Sequence, residues 1–294
     1  MSDQSTVEGS DVRPTSVDDL DDTQIEERIQ QLEQRLAREH DRMPSGLVHR
    51  MVEYARARFA HARIRRFVPI LVERTVRAHL DLTTGAAGRS GPAAAGNGPR
   101  PYSMPEWARV VAHRLLSGDL PRRWAHTQGV ARRAGEVGTL FVSTDREVLV
   151  AAAWLHDIGY APALVRTGFH PVDGARFLGA SGVPDRVCAL VAHHTGAAAV
   201  ADLLGLSGEL ARFPDERGAV RDALWFCDMT TSPDGEPVSY ADRLAELRAR
   251  RGPADPVVRA LAVNGSERAA AVRRTEQLLE HVETRAAGRS RCGY

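Results

Sequence analysis

The sequence predicts an all-α protein, with a small three-helix bundle at residues 18–82 followed by a larger helical domain at 103–287. Three observations predict it. Apolar residues recur at three- and four-residue spacing in nearly every patterned segment. No convincing alternating strand and no Asn-Gly hairpin interrupts them. The chain has 294 residues, 43% of them hydrophobic, which allows a real core and more than one unit.

Taken in order, residues 1–17 carry no periodicity and are expected to form a disordered tail. Ser16 followed by Asp19 resembles a capping signal, after which Ile25, Ile29, Leu32 and Leu36 mark one face of a first helix. Val48, Met51, Val52, Ala55 and Phe59 mark a second helix beyond Pro44 and Ser45. Phe67, Ile70, Leu71, Val76 and Leu80 mark a third, from about residue 64 to 80. Three helices with short connections close around a small core only as a bundle. The run FVPILVERTVRAHL gives this unit a resemblance to three-helix modules fused in front of bacterial phosphatase-like domains. That resemblance implies a dimerisation or docking device, hence a homodimer or a partner protein. Arg56, Arg58, Arg63, Arg65 and Arg66 read as a solvated face, offset by the acidic first helix, so nucleic acid is not expected.

Residues 83–102 are rich in glycine, alanine and proline and read as a flexible linker. Beyond them, helical patterns cover 105–116, 121–141, 145–156, 184–194, 216–227, 240–250 and 256 to about 285, with a short tail at 288–294.

Composition excludes several chemistries. All 39 basic residues are arginine against 38 acidic ones, for a net charge of +1. Without lysine there is no Walker-type phosphate loop, Schiff base or lysine general base. Cys188, Cys227 and Cys292 are far apart and form no CxxC pair, which argues against a disulfide framework or a thiolate zinc site. The first residues are acidic rather than signal-like, and no apolar run approaches the roughly 20 residues that span a bilayer. The expectation is a cytoplasmic protein with no membrane partner.

The stretch that needs explaining is VLVAAAWLHDIGY, Val148–Tyr160. An apolar helix ends there on His156 and Asp157, and burying an unpaired charge costs several kcal/mol. Of eleven histidines, five lie between 126 and 194: His126, His156, His170, His193 and His194. Asp228 ends another apolar run, DALWFCDMTT. Singly, each reads as a satisfied core or loop residue. Imidazoles and carboxylates delivered together from several helix ends suit Mn, Fe, Co, Ni or Zn. His40 and Asp41 form the same dipeptide after a polar run and read as surface.

In this order, His126, LHDIG at 155–159, FHPVDGA around His170, AHH at 192–194 and Asp228 resemble the HD superfamily of metal-dependent phosphohydrolases, over about residues 105–285. The resemblance implies the HD-domain helical fold and two divalent metal ions. His126, His156, Asp157 and Asp228 would hold the first. Asp157 would bridge and serve as the catalytic residue, and His170, His193 and His194 would hold the second. The implied activity is hydrolysis of a small phosphorylated substrate, an ester or anhydride derived from a nucleotide, by hydroxide bridged between the metals. Arg132, Arg133 or Arg166 would orient the phosphate. Tyr160 stands where relatives often keep a lysine, and Arg122 where trinuclear relatives keep a glutamate, so a third metal is not expected. Two other functions fit the same pattern: a mixed-valent di-iron oxygenase of the superfamily, and a non-catalytic nucleotide-sensing module.

Overall fold

The computed structural model describes residues 22–44, 46–60, 62, 65–84 and 102–291, with no side chains described for 66, 283 and 285–291. The tail at 1–17 and most of the linker at 83–102 lie outside them. The fold is all-α, and no strand forms among the described residues; a single bridge joins Thr231 and Pro237.

Helices α1 (Asp22–Glu39), α2 (Leu47–Arg58) and α3 (Val68–Thr84) pack on one another. Ile25, Ile29, Leu32 and Leu36 of α1 are buried together with Val48, Met51, Val52 and Ala55 of α2. The third face corrects the sequence reading. Phe67 and Ile70 are exposed, whereas Val76 and Leu80 are buried as read and are joined by Val68 and Val72 in a four-residue repeat that keeps one stripe inward. Arginines bridge the helices across the surface, Arg35 to Glu73 at 2.9 Å, Arg77 to Glu39 at 2.8 Å and Arg56 to Glu26 at 2.6 Å. Each such exposed pair contributes about 1 kcal/mol or less.

Beyond the linker, Ser103 and Glu106 form a capping box that starts α4 (Met104–Leu116). Pro121, free of an amide donor, opens α5 (Pro121–Val137), and α6 (Ser143–Leu155) follows. Next come α7 (His170–Ala180), α8 (Asp185–Ala192), α9 (Ala197–Leu204), α10 (Ser207–Leu210), α11 (Ala219–Met229), α12 (Tyr240–Arg251) and α13 (Pro256–Arg291). Helix α13 thus continues four residues past 287. Helix α6 is the centre, in contact with α4, α5, α8 and α11. Ala151, Ala152 and Ala153 let those neighbours approach, while Leu149 and Leu155, fully buried, each contribute about 2 kcal/mol.

One stretch, Asp185–Leu204, is apolar and long enough by composition to span a bilayer, contrary to the sequence reading. It is 61% buried and is not one continuous helix. It ends α8 at Ala192, turns through His194–Gly196 and begins α9, with left-handed backbone at Thr195 and Gly196.

Candidate metal centre

Four helix ends and one helix interior meet around Asp157. His126 lies inside α5, His156 caps the C-terminus of α6 and Asp157 follows it. His170 opens α7, His194 lies in the turn after α8, and Asp228 sits in the last turn of α11. Gly159 makes the approach of the first two segments possible. A Cβ there would lie 2.0 Å from the His170 carbonyl oxygen, so only glycine lets the 158–160 turn rest on the start of α7. Asp173, buried in the first turn of α7, accepts hydrogen bonds from the backbone amides of Arg166, Thr167 and Gly168 and so fixes the loop leading into His170.

Asp157 addresses both sides. Its Oδ2 lies 3.2 Å from His156 Nε2 and 3.8 Å from His126 Nε2, and its Oδ1 lies 3.3 Å from His170 Nε2 and 3.8 Å from His194 Nε2. These residues form two groups with metal-holding spacing, His126–His156–Asp157 and Asp157–His170–His194. Asp228 joins the first side, its Oδ1 2.9 Å from His126 Nε2.

The imidazoles are oriented by the backbone. Nδ1 of His126, His156 and His194 lies 2.9, 2.8 and 2.6 Å from the carbonyl oxygens of Ser232, Ala153 and Val191. A carbonyl only accepts, so each Nδ1 carries the proton and donates, which leaves Nε2 as the nitrogen facing the cluster. His156 Nε2 is buried with no hydrogen-bond partner. In the neutral ring it turns a lone pair towards a carboxylate oxygen, and only a proton or a cation between them relieves that. The donor set therefore fits divalent metal ions, with second contacts that fix ring and tautomer.

The electrostatics follow from crowding. Burial alone would raise the Asp157 carboxyl, but Arg123, whose Nη1 donates to Oδ2 at 2.7 Å, and His156 hold it well below the usual range. Asp228 is likewise held low, burial being offset by His126. For His156, Asp157 outweighs burial and raises the pKa. Burial and the neighbouring His170 and His156 push His194 down to about 3, and burial lowers His170.

His193 does not join the cluster. It caps α8, and its Nε2 donates to the Phe213 carbonyl at 2.7 Å. Neighbouring residues at a helix end point about 100° apart, so only His194 turns inward. The structure thus brings together His126, His156, Asp157, His170, His194 and Asp228 and leaves His193 outside. Buried Cys188 and Cys227 are free, and burial pushes the Cys188 thiol up to about 12, away from thiolate chemistry.

Other residues around the cluster, Tyr160 apart, were not legible as site residues. Tyr160 stacks on His170 at 3.9 Å between ring centres, lies under the Arg123 guanidinium at 4.3 Å and accepts a hydrogen bond from Arg251. Burial raises its pKa. Thr195 is held at φ 48°, unusual for a β-branched residue, and its hydroxyl donates to Asp228 Oδ2. A cavity of about 80 Å³ touches Asp157, His170, His194 and Asp228 and is walled by Arg123, Arg243, Arg250, Arg251 and Arg268. It shares Arg123, Tyr160, Arg243 and Arg250 with an outer cavity of about 340 Å³. Arg132, Arg133 and Arg166 line neither: Arg132 donates to the Gly235 carbonyl, Arg133 lies over Phe226 and Arg166 is exposed. Arg123, three residues before His126 on the same face of α5, was the one sequence signal available. Arg122 points to Asp234 at 2.8 Å.

Fold and site define an all-α domain whose buried His and Asp side chains have metal-holding spacing. Residues 123–247 match the family model described as the HD domain, in keeping with the HD superfamily. No significant match was found among the curated proteins or the solved structures.

Proposed function

We propose that the chain hydrolyses a phosphate ester or anhydride, derived from a nucleotide, using two divalent metal ions. The observation that supports this most is the placement of Asp157, with one oxygen towards His126 and His156 and the other towards His170 and His194. His126, His156, Asp157 and Asp228 would hold one ion, and Asp157, His170 and His194 the other. When bound, such ions supply Lewis acidity and water of lowered pKa. The chain supplies positioning. The Nδ1 contacts to carbonyls keep three imidazoles oriented, and Arg123 and its neighbours surround the inner cavity with guanidinium groups suited to phosphoryl oxygens. That inner space, about 80 Å³, is of a size that suits a phosphoryl group. The leaving group would occupy the outer cavity, where Leu120, Pro121 and Pro233 give apolar walls.

The test is metal quantification per chain after anaerobic purification, followed by turnover on a panel of phosphoesters and anhydrides. Asp157→Asn is expected to lose metal and to lower turnover by at least about a hundredfold. Full turnover by that variant would overturn the reading. A metal-loaded wild type that binds nucleotides but turns none over would favour the sensing module, and oxygen consumption with a mixed-valent iron signal would favour the oxygenase.

A further inference from the structure

The five arginines around the inner cavity are not equivalent. Arg123 pairs with Asp157, Arg243 and Arg250 with Glu246, and Arg251 with Asp255. Arg268, on α13, is 2% exposed and has no ion pair or hydrogen bond among the described residues, and its Nε is buried without a partner. A buried guanidinium with no acceptor in contact is costly, on the order of several kcal/mol, and Asp228, the carboxylate that acts on it across the cavity, is already engaged by His126 and Thr195, which leaves the fork free for another anion.

Its position fits that use. Asn264, one turn earlier on α13, donates to the Gly196 carbonyl at 2.7 Å and ties the helix to the 194–196 turn. A Cβ at Gly196 would lie 2.9 Å from Arg268 Nε, so the absent side chain leaves the guanidinium its space beside His194 and Thr195. Arg268 lines the inner cavity with His194, Thr195 and Asp228. It belongs to α13, which lies outside the segment that matches the HD domain.

We propose that Arg268 is the anion anchor of the site, binding the non-bridging oxygens of a terminal phosphoryl group and selecting substrates in which that group carries a full dianionic charge, monoesters or terminal anhydrides rather than diesters. This rests on the hydrolase reading for the substrate, though not for the binding of the anion. A monoester presents three free oxygens to a planar fork and a diester only two, one sharing its charge with the other. The arrangement also carries an opposite sign for the protein without ligand, because replacing an unpaired buried cation by an apolar group of similar length relieves its desolvation.

Calorimetric titration of the purified chain with inorganic phosphate, with and without Mn²⁺, tests this in wild type, Arg268→Met and Arg268→Lys. Arg268→Met is expected to bind phosphate at least about tenfold more weakly, with metal content unchanged and a melting temperature without phosphate equal to or above that of wild type. Arg268→Lys, which keeps the charge and loses the fork, is expected to fall between them, and it carries the test if the methionine variant fails to fold. On any turnover found, the Met variant should raise KM for monoesters more than it lowers kcat and should narrow the preference for monoesters over diesters. Unchanged phosphate affinity in Arg268→Met, a wild type that binds no phosphate, or a large fall in melting temperature with affinity kept would overturn the proposal. Phosphate binding lost with Arg268 in a protein that hydrolyses nothing would leave the anchor standing and remove the hydrolase reading. Hydrolysis with unchanged KM in Arg268→Met would do the reverse.

Discussion

Asp157 and the rings around it set the chemistry at the scale of single residues. His193 and His194 are adjacent, yet only His194 sends its Nε2 to the cluster, and His193 spends its proton on the Phe213 carbonyl. His193→Ala should therefore keep full metal content and cost about 1 kcal/mol of stability, measured by metal analysis and urea denaturation, whereas a lost metal equivalent would return His193 to the ligand set. Protonation gives a second prediction. His194 is depressed from 6.5 to about 3, so between those values the unfolded chain binds a proton that the folded chain does not. Stability must then fall as pH drops below 6.5, and lowered His170 acts in the same direction. Asp157 and Asp228, both depressed, lose their contribution only below about 3.8, and raised His156 contributes below 6.5 and loses that contribution as pH rises through its folded value. The chelated protein should lose up to about 2 kcal/mol through His194 between pH 6.5 and 5, and His194→Gln should flatten that slope in urea midpoints measured at both values. Parallel slopes in the two proteins would contradict it.

Elements decide which of those residues meet, and here sequence and structure diverge for identifiable reasons. The apolar run ending in His156 and Asp157 was readable because burial and charge conflict within a few consecutive residues, and α1 was readable because one stripe repeats without interruption. Arg268 was not readable, since its role comes from α13 packing on the 194–196 turn, a contact between residues about seventy positions apart. The outward turn of Phe67 and Ile70 was hidden for a similar cause, because α3 offers apolar residues on two faces and packing selects one. Gly159 links these levels. With a Cβ 2.0 Å from the His170 oxygen and 2.7 Å from the Gly174 nitrogen, both backbone atoms, Gly159→Ala cannot be absorbed by a rotamer change. It should push α7 away from the 158–160 turn, cost about 1–3 kcal/mol or more, and lower metal content first at the Asp157–His170–His194 group. Wild-type metal stoichiometry in that variant would show that the two segments can separate without opening the site.

At the scale of the whole molecule, the three N-terminal helices share a core with the rest. Arg50 of α2 reaches the Val183 carbonyl at 3.1 Å and Asp185 at 2.7 Å, His79 of α3 stacks on Phe177, and the Tyr102 amide donates to the Arg42 carbonyl. Gly182, at φ 73°, leaves no room for a Cβ, which would sit 2.5 Å from the Leu47 oxygen. Helix α7, which delivers His170, is thereby braced from behind by α2, so the bundle supports the site's geometry. A continuous buried cluster of this kind should unfold cooperatively. All four tryptophans, Trp107, Trp124, Trp154 and Trp225, lie beyond the linker, so their fluorescence reports only the larger unit while far-ultraviolet circular dichroism reports every helix. In urea the two signals should give one coincident transition, and Gly182→Ala, straining the contact from both sides, should lower the midpoint of both together by about 1–3 kcal/mol. A helical signal lost ahead of the fluorescence change would mean that α1–α3 melt as a separate module, and the bracing of α7 would then have to come from its own neighbours in the HD domain.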